Sequence, residues 1–183
     1  EVDTRFFAFA NTVESLNYHK TNQGQGWVGI RFQLKPGTPP NDIILHIKMH
    51  DNSHKGQQEA LGIFGVNLIH ACYFHNDDIE YFLKALTHRL PRERVEVDML
   101  RVKGPDFENV DNRIMALNLV KMGLTDATMF DLTGDVRQPS TALYKKDILL
   151  VRGRFRPITF VHLDMVEAGY KQFLADEEVE KDQ

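Results

Sequence analysis

The sequence predicts an α+β or α/β fold, a mixed sheet of about six strands packed by about four helices. Three observations carry this expectation. Apolar and polar residues alternate over Trp27–Leu34 and again over Ile43–Met49, the period of half-buried strands. From Gln57 the period lengthens to that of a helix, with Ala60, Leu61, Phe64, Leu68 and Ala71 on one side. Farther on, Val95–Phe130 reads strand, helix, strand, the pattern of a right-handed parallel crossover.

Arg5–Val13, with Phe6, Phe7 and Phe9, reads as a short strand leading into the polar loop Asn17–Gly26. The two alternating strands follow, and the short proline-rich turn Pro36–Asn41 between them favours an antiparallel pair. Gln57–Phe74 reads as a mostly buried helix. Gly62 and Gly65 each weaken it by up to about 1 kcal/mol relative to alanine, so a close backbone approach must compensate. Asn76, with Asp77 and Asp78, caps a second helix whose apolar stripe runs from Ile79 to Leu90 and is closed by Pro91. Val95–Val102 is a strand ended by Gly104 and Pro105, and Val110–Met122 a third helix stopped by Gly123. Then come a short strand at Ala127–Phe130, the polar loop T-G-D-V-R-Q-P-S-T, a second short strand at Ile148–Val151 and a last helix, Asp164–Leu174, with Met165, Val166 and Phe173 available for burial. Residues 1–174 thus read as a single globular domain. Residues 175–183 hold five acids against one lysine and read as an acidic disordered tail.

A chain of 183 residues buries roughly 70% of its unfolded surface, so its core needs no disulfide or structural metal. Cys72 is the only cysteine. It can form no intrachain disulfide, which points to a reducing cytoplasm, and within an apolar helix it is expected to pack rather than to attack. No run of about 18 apolar residues and no secretion signal occurs in this sequence, so the expectation is a soluble chain away from the membrane. The net charge of −4 argues against bulk affinity for nucleic acid. Phosphate-loop, dinucleotide, nucleophile-elbow, C-x-x-C and H-E-x-x-H signatures are all missing from the sequence.

Three groups of polar residues are candidates for function. His46, His50 and His54 are spaced by four, yet on a strand His46 and His50 stand about 13 Å apart, too far to share one ion, so no metal set is assigned. His70 and His75 are expected to meet the terminal carbonyls of their helix. The second group is a basic strip: Arg137, Lys145, Lys146, Arg152, Arg154 and Arg156 face only Asp147, a local net charge of about +5 suited to phosphate or carboxylate. The simpler and favoured reading is a solvated basic surface facing the acidic tail or a partner's acidic patch. If the Ile148–Val151 strand continues, its three arginines point to one side. Third, Asp111, Asn112 and Arg113 at a helix start, Asp131 at a strand end and Asp164 near the last helix could converge at one sheet edge, or serve only as caps, turn formers and a first-turn charge. Gln58, Glu59 and Asn67 are expected to satisfy polar groups of the core.

The stretches T-R-F-F-A-F-A-N-T-V (Thr4–Val13), G-W-V-G-I-R-F-Q (Gly26–Gln33), Q-Q-E-A-L-G-I-F-G-V-N-L-I (Gln57–Ile69), G-P-D-F-E-N-V-D-N-R (Gly104–Arg113), G-L-T-D-A-T-M-F (Gly123–Phe130), Q-P-S-T-A-L-Y-K-K (Gln138–Lys146) and R-G-R-F-R-P-I-T (Arg152–Thr159) resemble a large family of uncharacterised bacterial proteins. Its members carry names such as "TonB-dependent receptor" or "nicotinamide mononucleotide adenylyltransferase". The resemblance covers nearly the whole chain and implies the carboxyl-terminal part of a longer protein, or a shortened relative. The first name implies a barrel of about 22 strands, at odds with the helical periodicity. The second implies an H-x-G-H tetrapeptide that does not occur here.

Together these readings favour a ligand-binding or assembly module. Its candidate partners are a second copy of the chain, or a nucleotide or phosphorylated small molecule on the basic strip. The alternative is an enzyme acting on such a molecule, with Arg152, Arg154 and Arg156 gripping the anion and Asp131 or Asp111 near the reacting group. The sequence assigns no cofactor.

Overall fold

The computed structural model describes residues 4–177 and 179, and the chain divides into two compact units, Glu1–Pro139 and Ser140–Gln183. Most of the acidic tail lies outside the described residues.

The first unit is built on a four-stranded antiparallel sheet of β1 (Phe7–Asn11), β2 (Gly24–Phe32), β3 (Asn41–Met49) and β4 (Val95–Lys103), in that spatial order. Alternation along β2 and β3 sends Val28, Ile30, Phe32, Ile43, Leu45 and Ile47 to one face, where all are buried. That face packs on α1 (His54–Phe74) and α2 (Ile79–Leu86), through Ala60, Phe64, Leu68, Phe82, Leu83 and Leu86 in a single core. Fully burying a side chain such as Phe64 stabilises the fold by roughly 1.5–3 kcal/mol. Ser53 caps α1 by accepting from the Gly56 amide, and Asp78 caps α2 by accepting from the Tyr81 amide. Of the two helix glycines, Gly65 has the expected close approach, since a Cβ there would meet the Phe9 ring at 3.3 Å, whereas Gly62 faces open space.

α3 (Asn112–Lys121) runs beside β4. Its Met115 and Leu119 join the main core, while Ala116 joins a smaller cluster on the opposite face of the sheet, with Met99, Val136, Trp27 and Phe130. That cluster sits under a hairpin, β5 (Met129–Phe130) and β6 (Val136–Arg137), which pairs only with itself.

The structure is therefore α+β, with the six strands among the described residues divided between two antiparallel sheets rather than gathered in one mixed sheet, and the expected parallel crossover does not form there. Parallel strands need apolar cover on both faces, and Lys48, Glu96 and Asp98 put charge on the outer face of this sheet. β6 falls in the stretch expected to be a polar loop. Ile148–Val151, expected as a strand, is irregular.

The second unit contains α5 (Phe160–Ala175) and an irregular segment before it, and the division between units falls within the one-turn helix α4 (Pro139–Ala142). Not one residue from 140 to 177 is buried. Among the described residues no helix is long and apolar enough to cross a membrane.

Candidate functional site

The most concentrated polar chemistry lies on the outer face of the main sheet and is made by a β-bulge. His46 pairs with Met99 but Ile47 pairs with Val97, so Asp98 is an extra residue in β4. The bulge turns both Asp98 and Met99 away from the main core. Asp98, 2% exposed, accepts hydrogen bonds from His46 Nδ1 at 2.6 Å and Gln138 Nε2 at 3.2 Å, and pairs with Lys48 Nζ at 3.1 Å. Burial pushes the Asp98 carboxyl up, but the hydrogen bonds and charges of His46 and Lys48 outweigh it and hold the group below its ordinary value. Trp27 meets the His46 ring edge-on, with centroids 5.1 Å apart. Along the same face Glu96 accepts from Thr125 Oγ1 at 2.7 Å and faces His50 Nε2 at 3.4 Å.

A histidine oriented by a buried carboxylate is the base half of a nucleophilic dyad. Here no hydroxyl or thiol bonds to His46 Nε2 among the described residues. Instead the network runs from sheet to hairpin through Gln138, so its chemistry is that of a clasp holding the hairpin on the sheet. The sequence carried a signal for it: in V-E-V-D-M-L-R-V the apolar positions that face the main core run Val95, Val97, then Leu100, Val102, and the break in alternation marks the bulge. His50 and His54 lie apart from His46, in the loop after β3 and at the start of α1. His54 Nδ1 meets Ser15 Oγ at 2.9 Å.

The third sequence group partly converges. A polar cleft of about 270 Å³ is lined by Arg101, Asp111, Asn112, Arg113 and the turn from Thr133 to Val136. Its side chains are already occupied with one another. Asp111 caps α3 and forks with Arg113 at 2.7 Å, and that guanidinium, together with the Arg113 amide, holds the Asp111 carboxyl down to about 2. Asn112 faces the strand, accepting from the Val102 amide at 2.7 Å and donating to the Val102 carbonyl at 3.0 Å, so it tacks the helix onto the β4 edge. Asp131 organises the hairpin turn. It accepts from Thr133 Oγ1 at 2.6 Å and from the Thr133 and Asp135 amides at 2.9 Å, and pairs with Arg137 at 2.6 Å. Thr133 and then Arg137 hold its carboxyl well below the usual range. These residues are caps and turn formers.

The residues of the basic strip are divided between the two units. Arg137 belongs to the first unit, where Asp131 engages it. Lys145, Lys146, Arg152, Arg154 and Arg156 belong to the second unit and are exposed on irregular backbone, so no strand aligns the three arginines. None of these three guanidinium groups has a carboxylate partner among the described residues.

Other assignments are corrected in detail. Gln57, not Gln58 or Glu59, serves the core: its Nε2 donates to the Met49 and Asp51 carbonyls and its Oε1 accepts from the Leu16 amide. Asn67 donates to the Leu86 and His88 carbonyls, as expected. The His70 and His75 rings pack against Phe74 and Tyr81 rather than onto helix carbonyls. Cys72 is buried, and burial pushes its thiol up to about 12, so it packs.

Comparison with known protein families, curated proteins and solved structures finds no match for this chain.

Proposed function

We propose that the protein is an assembly module that associates with further copies of itself through its second unit. The observation that carries this reading is the composition of that unit's surface. Fourteen large apolar side chains between Leu143 and Leu174 are exposed, among them Leu150 at 82%, Ile158 at 66% and Phe160 at 85%. α5 has apolar residues around its whole circumference, the pattern of a helix that is covered on more than one side. At 16 residues it is about 24 Å long, short of the roughly 30 Å hydrocarbon core of a membrane. Exposed large apolar side chains in this number mark an interaction site. The first unit, by contrast, holds every buried apolar residue described.

Sedimentation of the full chain tests the proposal. The expected mass rises with concentration above 21.1 kDa, and removing residues 140–183 leaves a folded monomer. A full chain that stays monomeric to about 100 μM would remove the reading, because an exposed apolar surface of this kind associates in that range.

A further inference from the structure

We infer that α5 of one copy docks along the outer face of α1 on the first unit of a second copy, over a hollow that α1 shares with β1 on one side and a hollow that it shares with α2 on the other, a placement that rests on the self-association proposed above. α1 has two apolar faces. The face with Ala60, Phe64, Leu68 and Ala71 is buried on the sheet. Another, made by Val66, Ile69, His70, Tyr73 and Phe74, repeats at the spacing by which one helix reads another, i, i+3, i+4, i+7, i+8. It opens onto two adjoining hollows of about 500 and 430 Å³ that share Val66 and His70. Val66 is 66% exposed and Phe74 69%.

Charge selects the occupant. No carboxylate lines either hollow among the described residues, whereas Arg5 stands at one end and Lys84, His75 and His88 at the other. Lys84 is already paired with Glu80 at 2.7 Å. Arg5 lies over the Tyr73 ring at 5.2 Å with no carboxylate partner among the described residues. A fitting partner is therefore an apolar helix with acids along its flank. α5 is such a helix: Phe160, Leu163, Val166 and Tyr170 are exposed beside Asp164 and Glu167, and Glu177 follows its end. Its one lysine, Lys171, is paired with Glu167 at 2.6 Å.

Size is consistent as well. A helix about 24 Å long and about 10 Å across, exchanged in both directions and counted on both partners, buries on the order of 1,000 Å², the threshold of a specific interface. Mutual exchange closes a two-fold dimer and leaves no free α1 face.

The test uses the full 183-residue chain. Val66→Asp and Leu163→Asp each place a charge at an exposed position of the monomer, so circular dichroism should match wild type, while each raises the dimer dissociation constant at least about tenfold. A Val66→Cys chain mixed with a Leu163→Cys chain should form a disulfide between copies under mild oxidation. If Leu163→Asp dissociates the assembly while Val66→Asp does not, α5 associates elsewhere: the α1 face is wrong, and self-association stands. A doubly substituted Val66→Cys, Leu163→Cys chain that closes its disulfide within a monomer overturns exchange between copies. A monomeric wild-type chain overturns both readings.

Discussion

Asp98→Asn isolates the clasp between sheet and hairpin, because it removes a charge and keeps the shape. The carboxylate faces three donors, at 2.6 Å from His46, 3.1 Å from Lys48 and 3.2 Å from Gln138. The amide retains one acceptor oxygen and turns an NH2 group toward at least one of those donors. Hydrogen bonds to a buried charge contribute about 1.5–3 kcal/mol, and breaking a buried pair costs about 3–5 kcal/mol. Lys48 keeps 29% of its side chain in solvent and can turn to water, so the expected loss is about 2–3 kcal/mol. Urea unfolding followed by Trp27 fluorescence measures it, since the chain's single tryptophan lies against the His46 ring. The sign with pH follows from the depressed native carboxyl. Its stabilisation is complete above the unfolded value of about 3.9 and is lost as pH falls through the lower native value. The difference between wild type and Asp98→Asn should therefore shrink below about pH 4. A penalty under about 0.5 kcal/mol at pH 7, or one that grows toward acid, would refute the reasoning.

Three further outcomes are expected. Gln57→Ala strands the Met49 and Asp51 carbonyls and the Leu16 amide, and should lower unfolding free energy by about 2–3 kcal/mol in urea titrations. Gly104 has φ +137°, and a Cβ there would stand 2.7 Å from the Asn41 Cα, so Gly104→Ala should cost at least about 2 kcal/mol and visibly lower Tm. Arg154→Ala, at an exposed position on irregular backbone, should leave the unfolding midpoint of the first unit within about 0.5 kcal/mol of wild type; a larger loss would show that the guanidinium is engaged after all.

Much of the first unit was legible because local rules and the fold agree there. Every second residue from Val28 to Phe32 and from Ile43 to Met49 is apolar and buried, and the turn between the strands is short, so both strands and their antiparallel pairing follow from period and turn length. Gln57 was legible too, lying one turn before Ala60 and in phase with Phe64 and Ala71, although the neighbouring Gln58 was assigned its role. The parallel crossover failed because a strand–helix–strand order is necessary for it and not sufficient: Ala127–Phe130 is too short, and the sheet face it would join is charged. Asp111, Asn112 and Asp131 show the limit for site residues. Caps, edge tacks and turn formers use the same side chains as binding sites, and only the partners they meet decide between them. The arginine-rich segment was legible as charge but not as geometry, since nothing in the sequence distinguishes a strand that aligns three arginines from irregular chain that scatters them. Met165, Val166 and Phe173 are available for burial on sequence grounds, and the structure leaves the first two exposed and Phe173 half-buried.

Amide hydrogen exchange across Phe160–Ala175 tests the claim on which the functional account rests. A lone helix of this length is marginal in water and exchanges almost freely. If the second unit is an association arm, protection of these amides should rise with protein concentration while the β2 and β3 amides stay constant. Free exchange of the helix at every concentration, or protection that does not depend on concentration, would contradict the account.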